Sequence, residues 1–143
     1  FKPIEGGYRF ERSLLKATEI DLADCPDLGP ILFTLGCFCN GSTVIRNAGR
    51  LRLKESDRLQ TTAALLSVLG GCVHELPDGL VILGRDRLSG GTADACGDHR
   101  IAMSAAMAAC GCEGLVTVSG SECVAKSYPA FWEDFASLKE DAV

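Results

Sequence analysis

From Glu19 onward the chain alternates short β-type runs with longer helical ones, and this order constrains its fold more than any other feature. "ATEIDLAD" reads as extended. "DLGPILFTLGCFCNG" has helical length and an apolar majority, closed by Asn40 and Gly41. "STVIRNAG" is a strand. "KESDRLQTTAALLSVLGG" is a helix with Leu59, Ala63, Leu66 and Leu69 near one face and a stop at Gly70-Gly71. "CVHELPDGLVILG" is a hairpin, two alternating runs joined at Pro77-Asp78-Gly79. "LSGGTADACGD" is extended, "RIAMSAAMAACGC" is a small-residue helix and "GLVTVSG" is a strand. "AKSYPAFWEDFASL" is a loop and an amphipathic helix, with Phe131, Phe135 and Leu138 on one stripe. The residues before Glu19 form short extended segments around a turn at Gly6-Gly7.

The succession β-α-β-α-β-β is followed by β-α-β-α, an echo with a period of roughly 65–70 residues. Asp27 to Gly41 resembles Asp98 to Gly111 in layout. The expected class is therefore α/β, built from repeated βαβαββ units whose helices pack on small sheets. About two units fit the chain, at residues 1–75 and 76–143.

The chain's 143 residues, 47% apolar, are enough for one domain with its own core. The net charge of −5, with no basic stripe, argues against a nucleic-acid partner. No apolar run reaches the roughly 18 residues that cross a bilayer, so no membrane partner is expected. The first residue is Phe1 rather than Met, so the chain is expected to be a piece of something longer. Eight cysteines lie mostly in apolar stretches such as "LGCFCNG" and "MAACGCEG". There is no CxxC pair, and His74 and His99 stand at no zinc spacing. Reduced thiols and a cytoplasmic location follow, and no metal site is expected.

Polar clusters stand at helix starts: Pro26-Asp27, Lys54–Arg58 and Asp98–Arg100, with Lys126 shortly before the last helix. Taken singly, each reads as capping, for Ser56 and Asp57 are good N-cap residues. Taken together, helix N-termini aimed at one point make an anion site, deepened by Lys54, Arg58, Arg100 and Lys126. Four crowded cations call for an anionic guest or for the carboxylates Asp27 and Glu55. Those two acids are then candidates for proton transfer.

"PD" before a helix, "LKESDRL", "GDHRIAM" and "AKSYPAFWEDF", in this order from about Asp21 to Leu138, resemble the C-terminal half of the 5-enolpyruvylshikimate-3-phosphate synthase family. The resemblance implies two domains of three βαβαββ units each, of which this chain is part of the C-terminal one, its N-terminal partner domain being absent. It implies transfer of the enolpyruvyl group of phosphoenolpyruvate to the 5-hydroxyl of shikimate 3-phosphate, with release of phosphate and with no cofactor. It also implies roles. Asp27 contacts the shikimate hydroxyls and serves as base. Glu55 protonates the methylene of phosphoenolpyruvate. Lys54 contacts shikimate 3-phosphate and shares the proton relay. Arg58, Arg100 and Lys126 bind the phosphate and carboxylate of phosphoenolpyruvate. His99 neighbours this set, with a satisfied polar histidine as the equal alternative. Asp57 is left to cap the helix or to orient a neighbour. Some family members carry an Asn where Arg50 stands here, and Asn47 lies nearby. The substrate cleft of the family lies between its domains, so this chain alone is expected to be inactive. Two other readings stay open: a stand-alone anion-binding or assembly module of the same fold, and an enolpyruvyl transferase acting on a nucleotide sugar.

Overall fold

The computed structural model describes residues 1–11 and 13–138. A small hairpin, β1 (Lys2–Ile4) and β2 (Gly7–Arg9), opens the chain. Then come β3 (Glu19–Asp21), α1 (Gly29–Gly36), β4 (Ser42–Arg46), α2 (Arg58–Val68), β5 (Cys72–Leu76) and β6 (Gly79–Leu83). β7 (Gly91–Asp94), α3 (His99–Ala109), β8 (Val116–Ser119) and α4 (Phe131–Ser137) complete it. Short 3-10 helices cover Pro26–Leu28, Gly49–Leu53 and Ser121–Lys126. No described helix is long and apolar enough to cross a membrane.

The strands β3, β4, β6 and β5 form one sheet in that order, β3 parallel to β4 and the other neighbours antiparallel. β7 and β8 form a separate parallel pair. One complete β-α-β-α-β-β succession thus runs from Glu19 to Leu83, and a second begins at β7. The join falls after the β5–β6 hairpin rather than at residue 75, because β5 and β6 are continuously paired.

The internal repeat is sharper in register than in letters. The pairs Lys2↔Arg9, Pro3↔Tyr8 and Ile4↔Gly7 recur 72 residues later as His74↔Val81, Glu75↔Leu80 and Leu76↔Gly79. The isolated parallel bridge Lys16↔Asn40 recurs at the same offset as Leu88↔Cys112. The spacing is slightly longer than the sequence echo suggests. Tyr8 and Phe10 occupy the places of Leu80 and Ile82. Those two are fully buried, while Tyr8 is 62% and Phe10 78% exposed. With Phe1 they make a solvent-facing aromatic cluster, ring centroids 5.6 and 5.9 Å apart.

α1, α2 and α3 pack on one another; α1 and α2 also pack on the larger sheet, and α3 packs on β8. Phe33, Ile45, Leu51, Leu59, Leu66, Leu69, Leu80, Ile82 and Ile101 form the core. Leu59, Leu66 and Leu69 point inward as their spacing predicts, and Ala63 is partly buried against them. Ala102, Ala105, Ala106 and Ala108 on α3 keep side chains short, which lets helices approach closely. A second cluster, Ala95, Ala102 and Val124 with Phe131 and Trp132 packed on it, holds the Ser121–Lys126 turn and α4 against α3. Phe131 and Phe135 stack as a stripe, but Leu138 is exposed.

Three local expectations are corrected. The first helix stops at Gly36 rather than Gly41, because Asn40 leaves it to pair with the Leu15–Ala17 segment. Lys54, Glu55 and Ser56 precede α2 instead of belonging to it. Lys126 closes a 3-10 helix that the letters do not announce.

Candidate active site

The N-termini of α1, α2 and α3 carry the polar clusters. Asp57 caps α2, its side chain accepting from the Gln60 N–H at 3.1 Å. Asp98 caps α3, accepting from the Arg100 N–H at 3.0 Å. α1 has no side-chain cap, and Asp27 lies on the 3-10 turn that leads into it. Local chemistry thus sets where each cluster begins, and helix packing sets how they meet.

They meet at one place. Asp27, Lys54, Glu55, Arg58, His99 and Arg100 line a recess of about 140 Å³. Lys126 stands outside this lining and reaches it by donating from Nζ to Glu55 Oε1 at 3.0 Å. All seven residues singled out in the sequence are therefore gathered. Arg50 is exposed and does not line the recess. Asn47 does not either; its side chain donates to Asp21 at 2.8 Å.

Arg58 is the hub. It is 1% exposed. Its Nε and Nη2 donate to Asp98 at 2.8 and 3.2 Å, Nη2 also donates to Glu55 at 2.6 Å, and Nη1 donates to Asp27 at 3.2 Å. A planar fork with five N–H donors suits this sharing, which a lysine could not reproduce. Lys54 Nζ lies 3.0 Å from Asp27 Oδ1. Arg100 Nη2 lies 3.6 Å from Asp27 Oδ2, and its Nη1 donates to the Asp27 carbonyl at 3.1 Å.

Asp98 is the acid to which the sequence reading gives no role beyond capping its helix. It is fully buried, and besides Arg58 it accepts from the Ser56 hydroxyl at 3.0 Å. Ser56 therefore serves Asp98 rather than the helix cap. The available signal was an Asp directly before a helix in "GDHR". Its partner Arg58 stands 40 residues away, beyond any local pattern.

The balance of charge is three carboxylates against four cations, so the recess keeps one positive charge in excess. The acids are held ionised. The hydrogen bond from Lys54 lowers the Asp27 pKa most, burial opposes it, and Arg100 and Arg58 add to the lowering. For Glu55 its own backbone N–H lowers the pKa most, followed by Lys126. Burial pushes Asp98 up, but Arg58, the Arg100 N–H and Ser56 together bring it below the usual carboxylate range. His99 is 6% exposed, and its buried Nδ1 has no partner among the described residues. The satisfied-histidine alternative therefore does not describe its Nδ1, which is enclosed in the protein, although the residue lines the recess. Among the described residues no three His, Cys, Asp or Glu side chains are arranged to hold a metal ion.

Such a recess can seat a small anion against fixed cations while offering two ionised carboxylates as proton acceptors. Comparison with known proteins narrows the chemistry. The family model described as EPSP synthase (3-phosphoshikimate 1-carboxyvinyltransferase) matches residues 5–135. A 3-phosphoshikimate 1-carboxyvinyltransferase of Clostridium acetobutylicum is 48% identical over 137 residues, covering 96% of this chain and 32% of that protein. The protein of that name from Halobacterium salinarum is 44% identical over 132 residues, covering 92% and 31%. A solved EPSP synthase structure from Acinetobacter baumannii superposes with a TM-score of 0.81 at 35% identity, covering 87% of this chain and 30% of that one. The chain thus spans about a third of the length of its relatives.

Proposed function

The chain belongs to the EPSP synthase family, and on that premise we propose that it is the part of an enolpyruvyl transferase that holds phosphoenolpyruvate beside shikimate 3-phosphate. The observation that carries this reading is the recess itself. Four separate segments deliver three acids and four bases to one point, with a single positive charge left for an anionic guest.

The residues then act as follows. Arg100 and Lys126 face the phosphate and carboxylate of phosphoenolpyruvate, and His99 lines the same recess beside them. Arg58 is buried and divided among Asp27, Glu55 and Asp98, so it sets their positions as well as the charge of the recess. Asp27, ionised beside Lys54, accepts the proton of the 5-hydroxyl as its oxygen adds to the central carbon of phosphoenolpyruvate. Glu55 delivers a proton to the methylene. It is held ionised chiefly by its own backbone N–H, with help from Lys126 and Arg58. A dianionic guest draws on Lys126 and Arg58, weakens their hold, and raises the Glu55 pKa toward the acid form it needs. Loss of phosphate and of a methyl proton then restores the double bond in the product. The fixed charges are in place before the cationic centre develops, so little reorganisation is required at that step.

The rest of the cleft belongs to parts of the protein beyond this third of its relatives' length. We assign the chain to the C-terminal domain. The hairpin β1–β2 fits as the closing pair of a further βαβαββ unit, since it shares the register of β5–β6 and leaves Tyr8 and Phe10 uncovered. The chain by itself then shows no turnover. All eight cysteines carry free thiols, which supports a reducing, cytoplasmic setting.

The test is Glu55→Gln in the full-length enzyme. Turnover drops by at least about tenfold while the fold is retained. Wild-type turnover by that variant removes Glu55 from the reaction.

A further inference from the structure

Lys54 and Glu55 sit on neither a helix nor a strand. They occupy a four-residue loop, Lys54 to Asp57, between the Gly49–Leu53 turn and α2. Loops of this kind move unless something fixes them, and groups that transfer protons must be held to a fraction of an ångström. Arg52 supplies the fixation. Its Nη1 donates to Asp57 Oδ2 at 2.8 Å, closing the loop at its base. Its Nη2 donates to Glu75 Oε1 at 2.7 Å and to the Leu76 carbonyl at 3.0 Å, and its Nε donates to the Pro77 carbonyl at 3.0 Å. One guanidinium thus ties together the loop, the cap of α2 and the end of the β5–β6 hairpin. The Ala48 N–H, donating to the Asp78 carbonyl at 2.8 Å, holds the same segment to the same turn.

Arg52 does not line the recess. Its whole influence runs through Asp57 and the backbone on either side of Lys54 and Glu55. Beyond the closed loop these two reach inward, Lys54 to Asp27 at 3.0 Å and Glu55 to Arg58 at 2.6 Å and Lys126 at 3.0 Å. Leu53, between Arg52 and Lys54, is exposed and gives no apolar anchor. Ser56, on the far side of Glu55, is held by Asp98 at 3.0 Å, so Arg52 fixes the side of the loop that Ser56 does not.

We propose that Arg52 is a positioning residue for enolpyruvyl transfer, clamping the Lys54–Asp57 loop so that Lys54 and Glu55 meet the reacting atoms. This rests on the function proposed above. Lysine does not substitute, because one ammonium cannot meet acceptors spread over Asp57, Glu75 and the two carbonyls.

The experiment is a double-mutant cycle on turnover in the full-length enzyme, with Arg52→Gln, Glu55→Gln and the pair. Arg52→Gln lowers kcat by about 10- to 100-fold, and Arg52→Lys recovers little of it. In the pair, the combined loss falls short of the product of the single losses by about tenfold or more, because the clamp works largely through Glu55. A purely structural role would lower the melting temperature and leave the two losses multiplying. Multiplying losses, or an Arg52→Gln enzyme with wild-type kcat, overturn the proposal. If Arg52→Gln does not fold, Glu75→Gln removes a single arm of the clamp and is put through the same cycle with the same criterion. A Glu55→Gln enzyme with wild-type kcat points elsewhere: it sinks the proposed function, not the clamp.

Discussion

Replacing Asp98 with Ala asks how much the recess depends on its buried floor. Asp98 is fully buried and Arg58 nearly so, and two N–H···O bonds of 2.8 and 3.2 Å join them. Removing one partner leaves an uncompensated charge inside the protein, which typically costs about 3–5 kcal/mol. The same substitution deprives α3 of its cap, a loss of about 1 kcal/mol, and leaves the Ser56 hydroxyl without an acceptor. Arg58 retains Asp27 and Glu55, so the two costs overlap rather than add. A loss of about 4 kcal/mol follows, and for a chain of this size that lowers Tm by roughly 12 °C. Thermal unfolding followed by circular dichroism measures it, with urea unfolding as the check. Replacing both members by apolar residues, Arg58→Met with Asp98→Leu, recovers part of the loss, because the buried guanidinium leaves together with its buried partner while Asp27 keeps Lys54 and Arg100 and Glu55 keeps Lys126. The pH dependence carries the sign. The folded Asp98 pKa is depressed, so its stabilisation is complete above the unfolded value of about 3.9 and fades as pH falls through the folded value. The native chain should lose stability in acid more steeply than Asp98→Ala. A variant within about 1 kcal/mol of the native chain at pH 7 would falsify the view of this pair as the floor of the site.

Other substitutions and treatments probe the frame. A methyl group at Gly79 would run into the Ile45 carbonyl where β6 crosses β4, so Gly79→Ala is expected to cost more than about 2 kcal/mol in urea unfolding. Burial pushes the Cys37 thiol up to about 12, so at pH 8 a thiol reagent should label exposed Cys72, Cys96 and Cys110 promptly and reach Cys37 only on unfolding. Tyr8→Glu with Phe10→Glu breaks the uncovered aromatic cluster and should shift this chain toward monomer in sedimentation, if that patch drives self-association.

Much of the frame was legible because the deciding signals are local. Pro77-Asp78-Gly79 marks its hairpin turn, and Asp57 before "RLQTTAALL" marks a capped helix start. The apolar residues of α2 fix which face goes inward. The first helix ends early for a reason no window reveals. Asn40 is taken by Leu15 and Ala17, and Cys37 by Arg85, so distant pairing overrides an apolar run that could have continued. The seven residues gathered at the candidate site stand out by type, and six of them by a place near a helix start, whereas Lys126 ends a 3-10 helix. Asp98 reads only as a cap and Arg52 has no role in the sequence, because each acts on a partner that only the packing brings within reach. Arg58 lines the recess and is at the same time enclosed by three carboxylates, a consequence of helix contact rather than of spacing.

α1, α2 and α3 all start at the charged recess, and the turns that follow α1 and α3 gather at the other pole with the exposed stretch Arg85–Arg87. The polypeptide thus separates a pole crowded with ion pairs from one whose Arg85–Arg87 stretch faces solvent. A reporter domain spliced in at Asp86 would ride on that second pole, its movements remote from the chemistry.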